Sequence, residues 1–239
     1  MNVHILPLQT GAQSAVGCAV VIDVFRAFST ACYAVAGGAA TIIPVDALEK
    51  AYALQRAHPH ALLMGERDGR PQPGFDFGNS PTHIAQADVA GRTLIHTTSN
   101  GTQGLMAAVH APGTVEVLTG RFVNARAIVA YIQAQGYGEV SLVPVGRGGL
   151  SAEEDDLCAR FLRERLLGAE PDFAPIRTAL AASQRSDRFF DPDRTHAPRT
   201  DFDLCLDLDR FNFVLRAMPD EDGLVRLIAQ KIDVDQNKK

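Results

Sequence analysis

Six short apolar runs rich in β-branched residues punctuate the first 146 residues: CAVVIDV (18–24), ATIIPV (40–45), ALLMGE (61–66), RTLIHTT (92–98), TVEVL (114–118) and EVSLVPVG (139–146). Their continuous hydrophobicity predicts strands covered on both faces. Between them, stretches with helical spacing fall at roughly 27–37, 46–57, 102–110, 121–135 and 151–167. Parallel neighbours need crossover helices, so this alternation predicts an α/β fold, three-layer α/β/α with a largely parallel or mixed central sheet. The segment 67–81 breaks the rhythm with three prolines and three glycines, and is too polar for core. A long loop of this kind in a compact domain is usually functional. After about residue 168 the pattern weakens into short helices and proline-bearing turns, readable as a small lid or as an extension of the sheet. The expectation is one α/β domain over 1–239, with 168–239 as a smaller C-terminal subdomain and a frayed polar end, DVDQNKK (233–239).

Composition narrows the partners. With 239 residues, 46% of them hydrophobic, a sizeable core can form. The net charge is −5 and the arginines are scattered, which argues against nucleic acid. No apolar run approaches the roughly 18 residues of a membrane span, and the start MNVHILPLQTG lacks a basic segment leading into an apolar one. The four cysteines, Cys18, Cys32, Cys158 and Cys205, are widely spaced among apolar neighbours and predict buried thiols in a reducing, cytoplasmic setting.

Polar residues cluster at the ends of the predicted strands. Asp23 and Arg26 follow VVI; Glu66, Arg67 and Asp68 follow LLMG; Thr97, Thr98, Ser99, Asn100 and Gly101 follow TLIH; Gly146 to Gly149 follow SLVPV. In an open parallel sheet all of these lie along the carboxyl edge, where ligands of α/β folds bind. Asp23, at the end of an apolar strand, is either a cap for a helix beginning near Ala27 or a ligand for a hard cation. Arg26 either forks onto an anion or makes an ion pair. TTSNGT (97–102) places hydroxyls, an amide and a glycine where a strand turns into a helix, as an anion cradle or a ligand-free capped turn. GRGG (146–149) repeats that logic and adds Arg147, without a Walker lysine-serine pair. In SAEEDD (151–156), Ser151 and Glu154 have capping-box spacing. Four consecutive acids exceed a cap's needs, and near an anion they would call for a divalent cation on Glu154 or Asp155. No HExxH or GxSxG spacing occurs, and His96 and His83, the histidines nearest the loops, read as packing or surface residues.

VIDVFRAFST (21–30), GERDGR (65–70), GFDFGNSP (74–81), TTSNGT (97–102), GRFVNARAIV (120–129) and EDDLCARFL (154–162) resemble, in order and spacing, the 2-phosphosulfolactate phosphatases. The resemblance covers roughly residues 18 to 165, with a weaker echo in DLCLDLDRFNFVLRA (203–217). It implies a three-layer α/β/α fold and a magnesium-dependent phosphatase that makes 3-sulfolactate and inorganic phosphate, a reaction that in archaea lies on a route to coenzyme M. Phe25, Phe28 and Arg160 depart from the family pattern, where small or β-branched residues and a glycine are common, and Phe25 beside Arg26 is the departure that would reshape a pocket.

The chemistry expected from these residues places Mg2+ against Asp23 and Glu66, with Glu154 or Asp155 direct or through water. Arg26 and Arg67 grip phosphate or sulfonate. Thr98, Ser99, Asn100, Gly101, Thr102 and Arg147 hold the other anionic group, while Asn79 and Ser80 close over a small anionic phosphate ester. Asp23 is followed by Val24, Phe25 and Arg26, which is not the pattern of aspartyl-phosphate enzymes, so water is the expected nucleophile. One rival is a non-catalytic anion-binding or regulatory protein, for which the acidic cluster has no use. A nucleotide-dependent transferase is the other, and it should carry a lysine near the phosphates, whereas Lys50, Lys231, Lys238 and Lys239 all lie outside the predicted loops. The alanine-rich CYAVAGGAA (32–40) offers a flat surface for a homodimer, with packing onto the chain's own sheet as the alternative.

Overall fold

The computed structural model describes residues 1–233, so beyond Asp233 the expected frayed end lies outside the described residues. The strands are β1 (Asn2–Ile5), β2 (Val16–Ile22), β3 (Thr41–Pro44), β4 (Leu62–Gly65), β5 (Thr93–Thr97), β6 (Gly113–Gly120), β7 (Glu139–Pro144), β8 (Phe213–Pro219) and β9 (Val225–Lys231). The helices are α1 (Leu8–Gln13), α2 (Ala27–Ala36), α3 (Leu48–Ala57), α4 (Pro81–Ala85), α5 (Gly101–Val109), α6 (Ala125–Gln135), α7 (Glu153–Leu166), α8 (Ala174–Ala182), α9 (Asp187–Phe190) and α10 (Arg199–Cys205). Each of the six predicted strands and five predicted helices is present.

All nine strands join one mixed sheet in the order β1-β7-β2-β6-β8-β9-β3-β5-β4. Two parallel blocks, β1-β7-β2-β6 and β3-β5-β4, are joined by the antiparallel β8–β9 hairpin. The hairpin pairs antiparallel with both β6 and β3, so by strict alternation the two blocks run in opposite senses. Neighbouring strands twist by roughly 20–25°, and seven steps separate β7 from β4, which rotates strand direction by roughly 140–175°. That rotation lets the carboxyl ends of both blocks meet on one side of the molecule.

Helices α2 and α5 fill the concave side, where Phe28 and Leu105 share a core with Val21 and Val143 of one block and Met64 and Leu94 of the other. On the outer faces, Ile128 and Ile132 of α6 and Leu162 of α7 cover Val20, Leu118 and Leu142, while Ala51 of α3 covers Leu63 and Ile95. Successive residues such as Val20 and Val21 thus serve opposite cores, which is why these strands are apolar without alternation. The four cysteines are free and buried. The alanine-rich stretch of α2 packs inside the molecule, with Ala31, Cys32 and Ala34 fully covered. Among the described residues no helix is long and apolar enough to cross a membrane.

The C-terminal third contributes to both the helical layer and the sheet. Residues of α8 to α10 join the core that the first block shares with α6 and α7, and β8–β9 occupies the centre of the sheet. Its turn is built by Asp220, whose Oδ1 accepts from the backbone of Asp222 and Leu224, and by Gly223 at φ +75°. The 67–81 segment also contributes to the sheet's edge, because Phe77 pairs with Met64 of β4.

Candidate active site

The carboxyl ends of β2, β4, β5 and β7 open into one cleft of about 370 Å³. Lining it from the expected set are Asp23, Arg26, Glu66, Arg67, Asn79, Ser99, Asn100, Arg147, Glu154 and Asp155. Four other expected residues stand behind its wall. Thr98 and Thr102 satisfy each other, each backbone N–H donating to the other's hydroxyl at 2.9 and 3.1 Å, so neither hydroxyl is turned to a ligand. Ser80 caps α4 and donates to Asp201 at 2.7 Å. Gly101 makes room instead of contact: a Cβ there would lie 2.6 Å from Asp23 Oδ2 and 2.9 Å from the Ala27 Cβ.

Asp23 serves the helix start through one of its oxygens. Oδ1 accepts from the Ala27 N–H at 3.1 Å at the start of α2, while Asp23 as a whole lines the cleft. Glu66 is tied down on both oxygens, accepting from Ser99 N at 2.8 Å, Gly69 N at 2.5 Å and Ser99 Oγ at 3.2 Å. It therefore welds the β4 and β5 loops together. Gly65 permits this at φ +140°, because a Cβ there would meet the Thr97 carbonyl oxygen at 1.9 Å. Asp155 acts similarly between β2 and β7, accepting from Val24 N at 2.8 Å and Gly146 N at 3.1 Å. The capping box does not form: α7 begins after Ala152, and the Ser151 hydroxyl donates to Asp156, five residues on, instead of accepting from the Glu154 N–H.

Burial dominates the electrostatics. It raises the Asp23 carboxyl to about 7, helped by Glu66 and Glu154 and opposed by the Ala27 N–H and Arg188. Glu154 is raised by burial despite Arg188, Arg185 and Arg147. Asp155 is raised by burial and then by Asp23 and Glu154. These carboxylates repel one another and lack a full complement of cations, the condition under which a hard divalent ion is favoured. Among the described residues no three His, Cys, Asp or Glu side chains converge into a ready-made metal cage. Magnesium commonly takes only one or two carboxylates, keeping waters and substrate phosphate as its other ligands, so Asp23 and Glu154 fit it. Glu66 and Asp155, with their oxygens already accepting backbone donors, fit a supporting role.

The basic side is more ordered than the sequence implied. Arg26 is only 4% exposed and donates to Asp201 at 2.5 Å and to the His196 carbonyl at 2.7 Å. Asp201, fully buried on α10, also accepts from Thr82 N at 3.0 Å. Arg26 thus makes the ion pair that was one of its two expected roles, and it also lines the cleft. Arg67 donates to the Glu66 carbonyl at 2.7 Å and to Thr97 Oγ1 at 2.8 Å. Arg147 is exposed on the rim, and Gly148 N donates to Asn100 Oδ1 at 3.1 Å, tying the GRGG turn to α5. His96 stays out of the cleft. Burial, with Arg67 nearby, lowers it to about 3, and as the neutral Nε2–H tautomer it donates to Asn79 Oδ1 at 3.3 Å and orients that amide. Phe25, Gly69, Gln103 and Arg188 also line the cleft and were not singled out as ligands from sequence. Gln103 could have been found as the residue that directly follows TTSNGT in the first turn of α5; Arg188 lies where no pattern was legible.

A mixed α/β sheet whose strand-end loops gather buried carboxylates and arginines into one cleft defines the class, an α/β protein with a charged strand-end site. Comparison with known families specifies which one: residues 5–218 match the family model described as 2-phosphosulpholactate phosphatase, and the chain belongs to that family. It is 39% identical over 165 residues to a Gloeobacter violaceus protein named "Probable 2-phosphosulfolactate phosphatase", spanning 68% of this chain and 69% of that one. A Thermotoga petrophila protein of the same name is 37% identical over 62% of each chain, and one from Thermoplasma acidophilum is 31% identical over 82% of this chain and 83% of its own.

Proposed function

We propose that this chain is a magnesium-dependent phosphatase that hydrolyses 2-phosphosulfolactate, or a similarly small phosphorylated acid, to 3-sulfolactate and phosphate. The observation carrying this reading is that Asp23 and Glu154, both largely buried carboxylates, line the same cleft as Arg26 and Arg67. Mg2+, when bound, would neutralise charge on the phosphate oxygens. Asp23 and Glu154 would hold it, and Glu66 and Asp155 would keep the loops beneath it in place. Arg67 and Arg26, the latter aimed by Asp201, would grip phosphate oxygens. Asn79, Ser99 and Asn100 would orient the remainder of the ester. Water attacks phosphorus and the P–O bond to the hydroxy acid breaks, the proton ending on the released hydroxyl. A cytoplasmic location belongs to the same reading, in keeping with four free buried thiols.

The test is phosphate release from a panel of phosphorylated hydroxy acids, with and without Mg2+, in the parent and in Asp23→Asn. Release that needs the metal and falls at least 100-fold in Asp23→Asn is expected. Full turnover in excess chelator, or near-native rates in Asp23→Asn, would overturn the assignment of Asp23 as a metal ligand. No release from any substrate by protein that still binds the acids would favour the anion-binding alternative.

A further inference from the structure

Three of the four arginines at the cleft are already accounted for. Arg26 is committed to Asp201 and a carbonyl, Arg67 to a carbonyl and a threonine hydroxyl, and Arg147 sits in solvent. Arg188 is different. It projects from α9, in the segment without sequence pattern, and its NH2 donates to the Phe25 carbonyl at 3.2 Å while Nε is buried with no partner. No ion pair to it forms among the described residues. Its guanidinium lies 4.8 Å from the Phe189 ring centre and 6.0 Å from that of Phe25. Phe25 in turn packs edge-on against Phe189 at 5.0 Å and against Phe202 at 5.7 Å. Aromatic faces hold a guanidinium in place without using its donors, so its fork stays available to an anion.

We propose that Arg188 binds the acidic group of the substrate that is not transferred, a carboxylate or sulfonate, and so sets the preference for phosphorylated acids over neutral phosphate esters. A desolvated guanidinium without a counter-ion is costly, and an anionic ligand removes that cost. Burial, reinforced by the neighbouring Arg26 charge and opposed by the Glu154 and Asp23 carboxylates, pulls Arg188 down to about 10. Phe25, the departure from the family pattern beside Arg26, becomes part of the support for this arginine. The alternative is that Arg188 only offsets the Asp23 and Glu154 carboxylates at longer range, in which case its loss would affect every substrate equally.

The inference rests on the phosphatase reading for its substrate arm but not for its binding arm. In the substrate arm, kcat/KM is measured for phosphoglycolate and for ethyl phosphate in parent, Arg188→Gln and Arg188→Lys. The loss on phosphoglycolate in Arg188→Gln should exceed the loss on ethyl phosphate by about 10-fold or more, chiefly in KM, with Arg188→Lys between parent and Arg188→Gln. Equal losses on the two substrates would overturn the proposal. In the binding arm, calorimetry with 3-sulfolactate, which carries no phosphate, should show at least about 10-fold weaker binding to Arg188→Gln than to the parent. Equal affinity, or no binding to the parent, would also overturn it. Circular-dichroism melts confirm that each variant is folded. If no protein releases phosphate while the binding difference holds, the phosphatase reading fails and the role of Arg188 stands.

Discussion

Removing Asp201 tests whether α10 and the cleft are one unit. Asp201 is fully buried and Arg26 is 4% exposed, so Asp201→Ala leaves a guanidinium without its counter-ion and takes acceptors from Ser80 Oγ and Thr82 N. Breaking a buried pair by deleting one partner costs about 3–5 kcal/mol, mostly because the surviving charge is stranded. For a chain of this size each kcal/mol lowers Tm by about 2–4 °C, giving an expected drop of roughly 6–20 °C. Asp201→Asn keeps the shape and one carbonyl acceptor, so its loss should be smaller, about 1.5–3 kcal/mol. Deleting both charges in Arg26→Met with Asp201→Ala should be less harmful than the sum of the single changes, by roughly 0.5–3 kcal/mol. Urea unfolding followed by circular dichroism, at constant m-value, measures all four. If Asp201→Ala stays within about 0.5 kcal/mol of the parent, the pair is not desolvated as argued, and the hold of α10 on Arg26 would have to be abandoned.

Two further outcomes follow from the geometry. Asp23 has a folded-state value of about 7 against 3.8 for the free carboxyl, so the folded protein holds an extra proton in between and loses stability as pH rises from about 4 to about 7. In metal-free buffer Asp23→Asn should therefore gain Tm over the parent at about pH 8 and lose that advantage near pH 4; a pH-independent difference would contradict the burial argument. Gly101→Ala would force a methyl to 2.6 Å from Asp23 Oδ2, so about 1–3 kcal/mol of stability and a larger share of turnover should go, read by Tm and phosphate release together. Parent-like turnover would show that Asp23 can move without consequence.

What the sequence determined by itself is local. Apolar runs and helical spacing named six of the seven strands of the two parallel blocks, all but β1, and their crossover helices, because burial on both strand faces leaves a continuous hydrophobic signature. Strand-end position likewise brought Asp23, Glu66, Ser99, Asn100 and Arg147 forward correctly as cleft residues. The β8–β9 hairpin also had a signature, the apolar strands FVLRAMP and VRLIAQK around DEDG, that went unread for want of a clear pattern before it. Tertiary structure alone decided three things. The hairpin's place at the centre of the sheet sets how far the strands rotate, and only that rotation makes loops of both blocks face one cleft. The exchange between Thr98 and Thr102, by contrast, is local, and the ligand-free capped turn was already one of the two readings open to TTSNGT. Arg26 and Asp201 met across 175 residues, and Arg188 reached the cleft on a helix of four residues. Pairings of that kind leave no period in the chain, because the cost of burying each charge is settled by a partner that only folding brings near.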